Sequence, residues 1–302
     1  MSLRQPLLAF SLLALSTIAL AAPGSATTPA AAGPAVTAVQ SPAWLEREGQ
    51  RRPLVPGDVL GNRDQVLTGN GARVLIQLPE GSAVKLGENA QLKLNALGTR
   101  SGGVYTAALD VLQGAFRFTT DLFQKRLAHR AVNIRAATLT AGIRGTDLWG
   151  KSDGEKDLIC LLEGHVVVTH PQGEAMELTE PLAFASALRD QPPQPVTRAD
   201  AAQVEQWSRE TELQPGQGVL RRDGAWGVNF PALGSQAEAL ALYDRLRTAG
   251  YPARVRVTAD SQGEEGYAYR LRVGGWASRS EAMAVATRLG GLLEMAPGSV
   301  SR

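Results

Sequence analysis

Arg270 and Arg272 stand one residue apart in the run Tyr267 to Gly274, alternating with Leu271 and Val273. Successive side chains of an extended strand point to opposite faces, so a core-facing Leu271 and Val273 put both guanidinium groups on the other side. Asn229 follows the same rule in the run Ala225 to Phe230, because Trp226, Val228 and Phe230 occupy the opposite face. Arginine presents several donors in a fixed fork and asparagine both donors and an acceptor, a set that suits a ligand dense in hydroxyl and acetamido oxygens. Arg254 and Arg256 repeat the spacing in the preceding run, and all four arginines also fit a solvated sheet face.

The other reactive side chains do not assemble a reaction. His129, His165 and His170 lack His-x-x-x-His spacing, and alternation puts His165 and His170 on opposite faces of one strand, against shared metal ligation. Cys160 is the only cysteine, so no intramolecular disulfide forms, and its apolar setting from Leu158 to Leu162 marks it as core. There is no Gly-x-Ser-x-Gly elbow, and Glu264-Glu265 falls in a hairpin loop where adjacent carboxylates stay solvated. Gly69-Asn70-Gly71 leads into residues that alternate like a strand, whereas a dinucleotide fingerprint must open a helix. We therefore expect no catalytic residue, no metal and no cofactor.

These residues sit in a chain of 302 amino acids with a formal charge of +2, 44% hydrophobic and 20% charged. That length holds two ordinary domains, and the small net charge argues against a nucleic-acid partner. The N-terminus reads as a secretory signal peptide over residues 1–21, with Arg4 as the positive region, an apolar run Leu7 to Leu20, and Ala19-Leu20-Ala21 as the cleavage site. The apolar run is shorter than the roughly 20 residues a spanning helix needs, so no transmembrane anchor is expected after cleavage. No cysteine follows it to accept a lipid. Residues 22–42 are almost entirely uncharged Ala, Pro, Thr and Gly and read as a disordered tether.

From residue 43 to 198 the pattern becomes short alternating runs closed by turns, the mark of a mainly β, antiparallel domain, as a sandwich, barrel or solenoid. In the clearest run Ala72, Val74, Ile76 and Leu78 share one face and Arg73 and Gln77 the other. Further runs are Ala83 to Leu86, Gln91 to Leu94, Tyr105 to Leu112, Ala115 to Phe118, Val132 to Ala136, Leu158 to Leu162 and Val166 to Thr169, with Gln113-Gly114 among the turns. Residues 199–224 read as a short helix capped by Thr197, with Ala202, Val204 and Trp207 as its apolar stripe, and a hinge at Pro215 to Gly218. Residues 225–302 then read β-α-β-β-α-β, a small α+β domain with helices on one side of its sheet.

Three phrases in the β region resemble the FecR family's periplasmic domain. They are Asp64 to Gly81, Leu109 to Phe118, and Ala141 to Thr146 followed by Glu163-Gly164. The resemblance spans about Leu54 to Thr169 and implies a periplasmic β domain that meets an envelope protein or ligand not identified by the motifs. FecR regulators also control a sigma factor through a cytoplasmic segment and a spanning helix. The signal peptide and tether read here leave no place for either, so that role is not carried over.

The last region resembles the SPOR domain, through Trp226, Val228, Asn229, Gly250, Tyr269, Arg270, Arg272, Val273, Gly274, Trp276, Glu281 and Ala282. The resemblance implies binding to peptidoglycan glycan strands stripped of stem peptides, in many cases at the division septum. It implies glycan contacts at Asn229, Ala232, Tyr269, Arg270 and Arg272. Asn229 stands where the family often has glutamine, and Pro231-Ala232 where it has a glycine-serine pair. An aromatic residue common at the place of Ala268 is represented only by its neighbours Tyr267 and Tyr269. The sequence thus describes an exported, non-enzymatic, two-domain envelope protein of the periplasm. An alternative makes the FecR-like domain the active sensor and the last domain a protein-docking module.

Overall fold

The computed structural model describes residues 33–120, 130–143, 145–261 and 266–302. The residues read as a signal peptide, most of those read as a tether, His129, Arg144 and Glu264-Glu265 lie outside them.

The β region forms two sheets. The first runs, in spatial order, β16 (Pro193–Arg198), β15 (Ala183–Leu188), β12 (Lys156–Glu163), β11 (Asp147–Ser152), β8 (Tyr105–Thr119), β6 (Ala83–Leu86), β5 (Arg73–Gln77), β1 (Ala35–Gln40) and β17 (Val219–Arg221), all antiparallel. The second runs β3 (Gln50–Pro53), β2 (Ala43–Arg47), β4 (Gln65–Thr68), β7 (Gln91–Thr99), β8, β9 (Arg130–Ala136), β10 (Leu139–Ile143), β13 (Val166–Thr169) and β14 (Met176–Leu178). Among the described residues only the β8–β9 pair is parallel. Leu45, Val66, Leu92 and Leu109 of the second sheet join Val74, Ile76, Phe116 and Phe118 of the first in one buried core.

Strand β8 is where the sequence reading needs its first correction. The runs Tyr105 to Leu112 and Ala115 to Phe118 are one strand that leaves the second sheet after Gln113 and enters the first at Gly114. Gly114 has φ +88° and lies so close to Ala90 that an added Cβ would come within 2.5 Å of it. Only glycine passes there, and the result is a bend within a strand, not a hairpin turn.

The tether is corrected over its last part. Residues 35–40 form β1, held between β5 and β17, with Val36, Ala38 and Val39 buried. Helix α1 (Ala201–Thr211) is capped by Asp200, whose side chain accepts from Gln203 N, and not by Thr197, which lies in β16. Of its apolar stripe, Val204 and Trp207 cover a second cluster of Ala115, Trp149, Leu158 and Cys160 on the outside of the first sheet, while Ala202 is exposed. The Trp149 and Trp207 rings stack 4.9 Å apart. Cys160 is fully buried there, and burial pushes its thiol up to about 12.

The last region has the expected order: β18 (Trp226–Asn229), α2 (Gln236–Thr248), β19 (Ala253–Ala259), β20 (Tyr267–Trp276), α3 (Arg279–Leu293) and β21 (Ser299–Ser301). Its strands lie β19, β20, β18, β21, all antiparallel. Ser235 and Ser278 cap the two helices. Leu242, Leu246, Val285 and Leu289 of the helices share a core with Val228, Leu271, Val273 and the fully buried Trp276. The chain is therefore mainly β with a small α+β region at its end.

The expected hinge at Pro215 to Gly218 is clamped. Strand β17 pairs with β1 through Val219, Leu220 and Arg221, and Leu220 also pairs with Trp276 of β20, so one strand belongs to both regions. The Glu281 carboxylate, 8% exposed, accepts from the backbone N–H groups of Gly216 at 2.8 Å, Val219 at 2.9 Å and Gly218. The Trp276 indole N–H donates to Gly218 O at 3.1 Å. Trp44 Nε1 donates to Thr248 O at 3.2 Å and Arg288 to Ser41 O at 3.3 Å, tying both helices back to the β region. A carboxylate that takes up several buried N–H groups is among the stronger fixings a linker can have.

Candidate functional site

The open face of the last sheet is built by cross-strand register. Arg254 lies opposite Arg272, and Arg256 opposite Arg270. Asn229 lies opposite Arg272 from the other side, and Ser299 opposite Asn229. Directly opposed residues share a face, so Arg254, Arg272, Asn229 and Ser299 make one row across four strands, and Arg256 and Arg270 a second. Leu271 and Val273 point the other way, into the core beneath the helices.

Within the first row the side chains are locked. Arg272 Nη1 donates to Asn229 Oδ1 and to Ser301 Oγ, both at 3.0 Å, and Nη2 donates to Ala225 O at 3.1 Å and Ser301 O at 3.2 Å. Asn229 Nδ2 donates to Ser301 Oγ at 3.0 Å and Ser299 O at 3.2 Å. The guanidinium lies flat over Gly227, where an added Cβ would come within 2.6 Å of Arg272 Cζ. Every acceptor of Arg272 is neutral, so its position is fixed and its charge is not offset.

Arg254, Arg256 and Arg270 are exposed, and none of the four arginines is in an ion pair among the described residues. Like charges placed opposite each other on a sheet destabilise it by about 0.2–1 kcal/mol per pair. Two such pairs lie side by side on this face.

The five residues singled out from the sequence divide. Asn229, Arg270 and Arg272 come together on the open face. Tyr269 does not: it is 7% exposed and shares the core face with Leu271, because it is an odd number of residues from Arg270. It is corrected from a sugar-facing aromatic to a core residue. Ala232 is exposed in the connection after β18, next to Leu233, which bridges to Tyr269 through the backbone, and nothing ties it to the arginine rows. Ala268 holds the open-face position before Arg270 and is 4% exposed.

Sequence reasoning placed a final strand near Ser299 but missed Ser299 and Ser301 as hydrogen-bond partners of Asn229 and Arg272. It also missed Gly227 as the slot for Arg272, and Arg302, whose guanidinium lies 5.2 Å from the centre of the Trp226 ring. The remaining reactive groups stay apart. His170 Nδ1 accepts from Gln172 N at 3.1 Å, and His165 faces Glu177 at 4.0 Å. Among the described residues no group of His, Cys, Asp or Glu is arranged to hold a metal, and no helix is long and apolar enough to cross a membrane.

Comparison with known families places both regions. Residues 223–299 match the SPOR domain and residues 64–167 the FecR protein family, in the order the sequence motifs indicated. The chain carries a FecR region followed by a SPOR domain. No curated protein matches it significantly. Two crystal structures of a protein from Parabacteroides distasonis ATCC 8503, provisionally described as an anti-sigma factor, are similar at a distance. One is 14% identical over 61% of this chain and 73% of that one, with a TM-score of 0.39. The other is 13% identical over 75% and 90%, with a TM-score of 0.38. Likeness at that level carries no argument about function.

Proposed function

We propose that the protein is an exported, non-enzymatic envelope protein that binds stem-peptide-free glycan strands of peptidoglycan across the open face of its SPOR domain. The observation that carries this is the pair of opposed arginine rows, unpaired with any carboxylate among the described residues and beside a hydrogen-bonded Asn229. The SPOR match supports peptidoglycan as the ligand. Arg270 and Arg256 supply free donors at the centre of the face, and Arg272 and Asn229 form its preorganised edge. Removing the peptides uncovers the sugar oxygens that such donors reach.

The FecR region is assigned to an envelope protein or ligand, with the periplasm as its compartment and the division septum as a place of action. Because Glu281 and β17 fix the two regions together, wall binding by one presents the other in a set orientation. A second reading, in which the last domain docks a protein, is favoured by one feature: Leu240, Val255, Val257 and Tyr267 are exposed together beside the edge strand β19.

Co-sedimentation of the full chain with sacculi tests the first reading. Pelleting is expected to rise several-fold once an amidase strips the peptides. Equal, negligible pelleting with both preparations sinks it.

A further inference from the structure

The open face does not end at the edge of the SPOR sheet. Beyond Arg272 and Gly274 it runs into a cleft of about 430 Å³ between the two regions. One wall is Val55 and Pro56 of the β domain, and Arg221, Arg222, Arg254 and Arg272 line the cleft together with apolar side chains such as Leu220 and Pro252. Arg222 reaches across the junction to Gly57, where an added Cβ would come within 3.7 Å of its Nε. The floor is backbone, made of Gly224, Gly274 and Gly275. Gly275 is the extra residue of a bulge between the Trp226–Trp276 and Gly227–Gly274 pairs, and its φ of +118° is open only to glycine.

No acidic residue lines the cleft. The carboxylate closest in sequence to the β-domain wall, Asp58, is committed to Arg52 at 2.7 Å. Arg221, Arg222 and Arg254 have no ion pair among the described residues, and Arg272 donates only to neutral acceptors. Arg221, Arg222 and Arg254 beside the glycine backbone form a receptor for an anion, to which Arg272, with both Nη atoms already donating to neutral acceptors, adds charge but no free fork. The volume of the cleft is that of a small-ligand pocket, and the fork of arginine matches a carboxylate in two parallel hydrogen bonds.

We infer that this cleft binds a carboxylate carried on the glycan, the lactyl carboxylate that is freed when a stem peptide is removed. The inference rests on the glycan reading of the open face and deepens it. Hydrolysis of the amide between lactyl group and peptide turns a neutral linkage into a negative charge, so stripped and intact strands differ in charge as well as in bulk. Four residues of β20 separate Arg270 from Gly274, about 13 Å at a strand's rise of ~3.3 Å per residue. A strand bound at Arg270 and laid along β20 therefore delivers a neighbouring sugar to the cleft. The cleft then adds to the discrimination made by the open face, and that addition belongs to the two-domain protein, because Val55, Pro56 and β17 complete the cleft.

The test uses the full chain and soluble glycan strands released by amidase, with one portion converted to neutral methylamides at the lactyl carboxylate. Isothermal titration is expected to show about tenfold weaker binding to the neutralised strands. Arg222→Ala should bind acidic and neutralised strands almost alike, and Arg222→Lys, which keeps the charge without the fork, should fall between. Arg270→Ala should weaken binding to both and preserve their ratio. Wild-type binding that ignores the neutralisation, or an unchanged ratio in Arg222→Ala, overturns the cleft while leaving the open face intact. No binding of either strand by the wild type overturns both.

Discussion

The charged residues that fasten helix α1 to the β domain and those of the SPOR face obey opposite rules. On the first sheet Arg117 is held by Asp147 at 2.7 Å and Glu212 at 3.3 Å, Lys85 reaches the same Glu212, and Lys151 pairs with Glu210. The pairs with Glu210 and Glu212 fasten α1 to the sheet, and Arg117–Asp147 joins β8 to β11. At the domain junction the one buried carboxylate, Glu281, is matched by backbone N–H groups. On the SPOR face four arginines are stacked in opposed pairs without a counter-charge among the described residues. The charges that fasten α1 and the junction are matched inside the molecule, whereas Arg254, Arg256 and Arg270 of the SPOR face are exposed and available to something outside it.

That comparison is open to attack at several points. The largest effect is expected at the clamp. Glu281→Ala strands buried N–H groups of the linker and should cost about 3 kcal/mol in urea unfolding. It should also loosen the junction, read as faster hydrogen exchange at Gly218 and Val219. Arg270→Ala should weaken binding to stripped sacculi about tenfold, or ~1.4 kcal/mol, without loss of stability. Arg117→Ala should do the reverse, costing about 1 kcal/mol of stability and leaving glycan affinity unchanged.

The smallest effect is expected at Cys160 near neutral pH. Its raised thiol should resist a thiol reagent at pH 8 until the protein is unfolded in urea. The unfolded thiol loses its proton above about pH 9 while the folded one keeps it to about 12. The contribution of Cys160 is therefore complete below pH 9 and falls away across that interval, so Cys160→Ala should flatten the alkaline loss of stability.

The parts legible in the sequence were those fixed by local pattern. The alternation around Val74 and Ile76 gave β5, the serine caps and apolar spacing gave α2 and α3, and Leu271 and Val273 assigned the faces of β20. What stayed hidden was set by distant partners. Residues 35–40 lack polar alternation because side chains on both faces of β1, Val36 and Val39 on one and Ala38 on the other, are buried, which makes a strand look like an Ala-rich tether. Gly114 looked like a turn because a glycine that permits a bend and one that permits a hairpin read alike. Pro215 to Gly218 looked like a hinge because its clamp, Glu281, comes from more than sixty residues away. Tyr269 was assigned by its aromatic chemistry although its parity with Leu271 already placed it in the core. The arginines of the cleft belong to no single run, and only the pairing of β17 with both regions brings them together.

The most direct test of the central claim is the double variant Arg256→Ala/Arg270→Ala in the full chain, measured for binding to amidase-stripped sacculi and for thermal unfolding. The account predicts that binding is lost and the midpoint is unchanged or higher, since a like-charge pair has been removed. A variant that pellets with stripped sacculi as well as the wild type would contradict it.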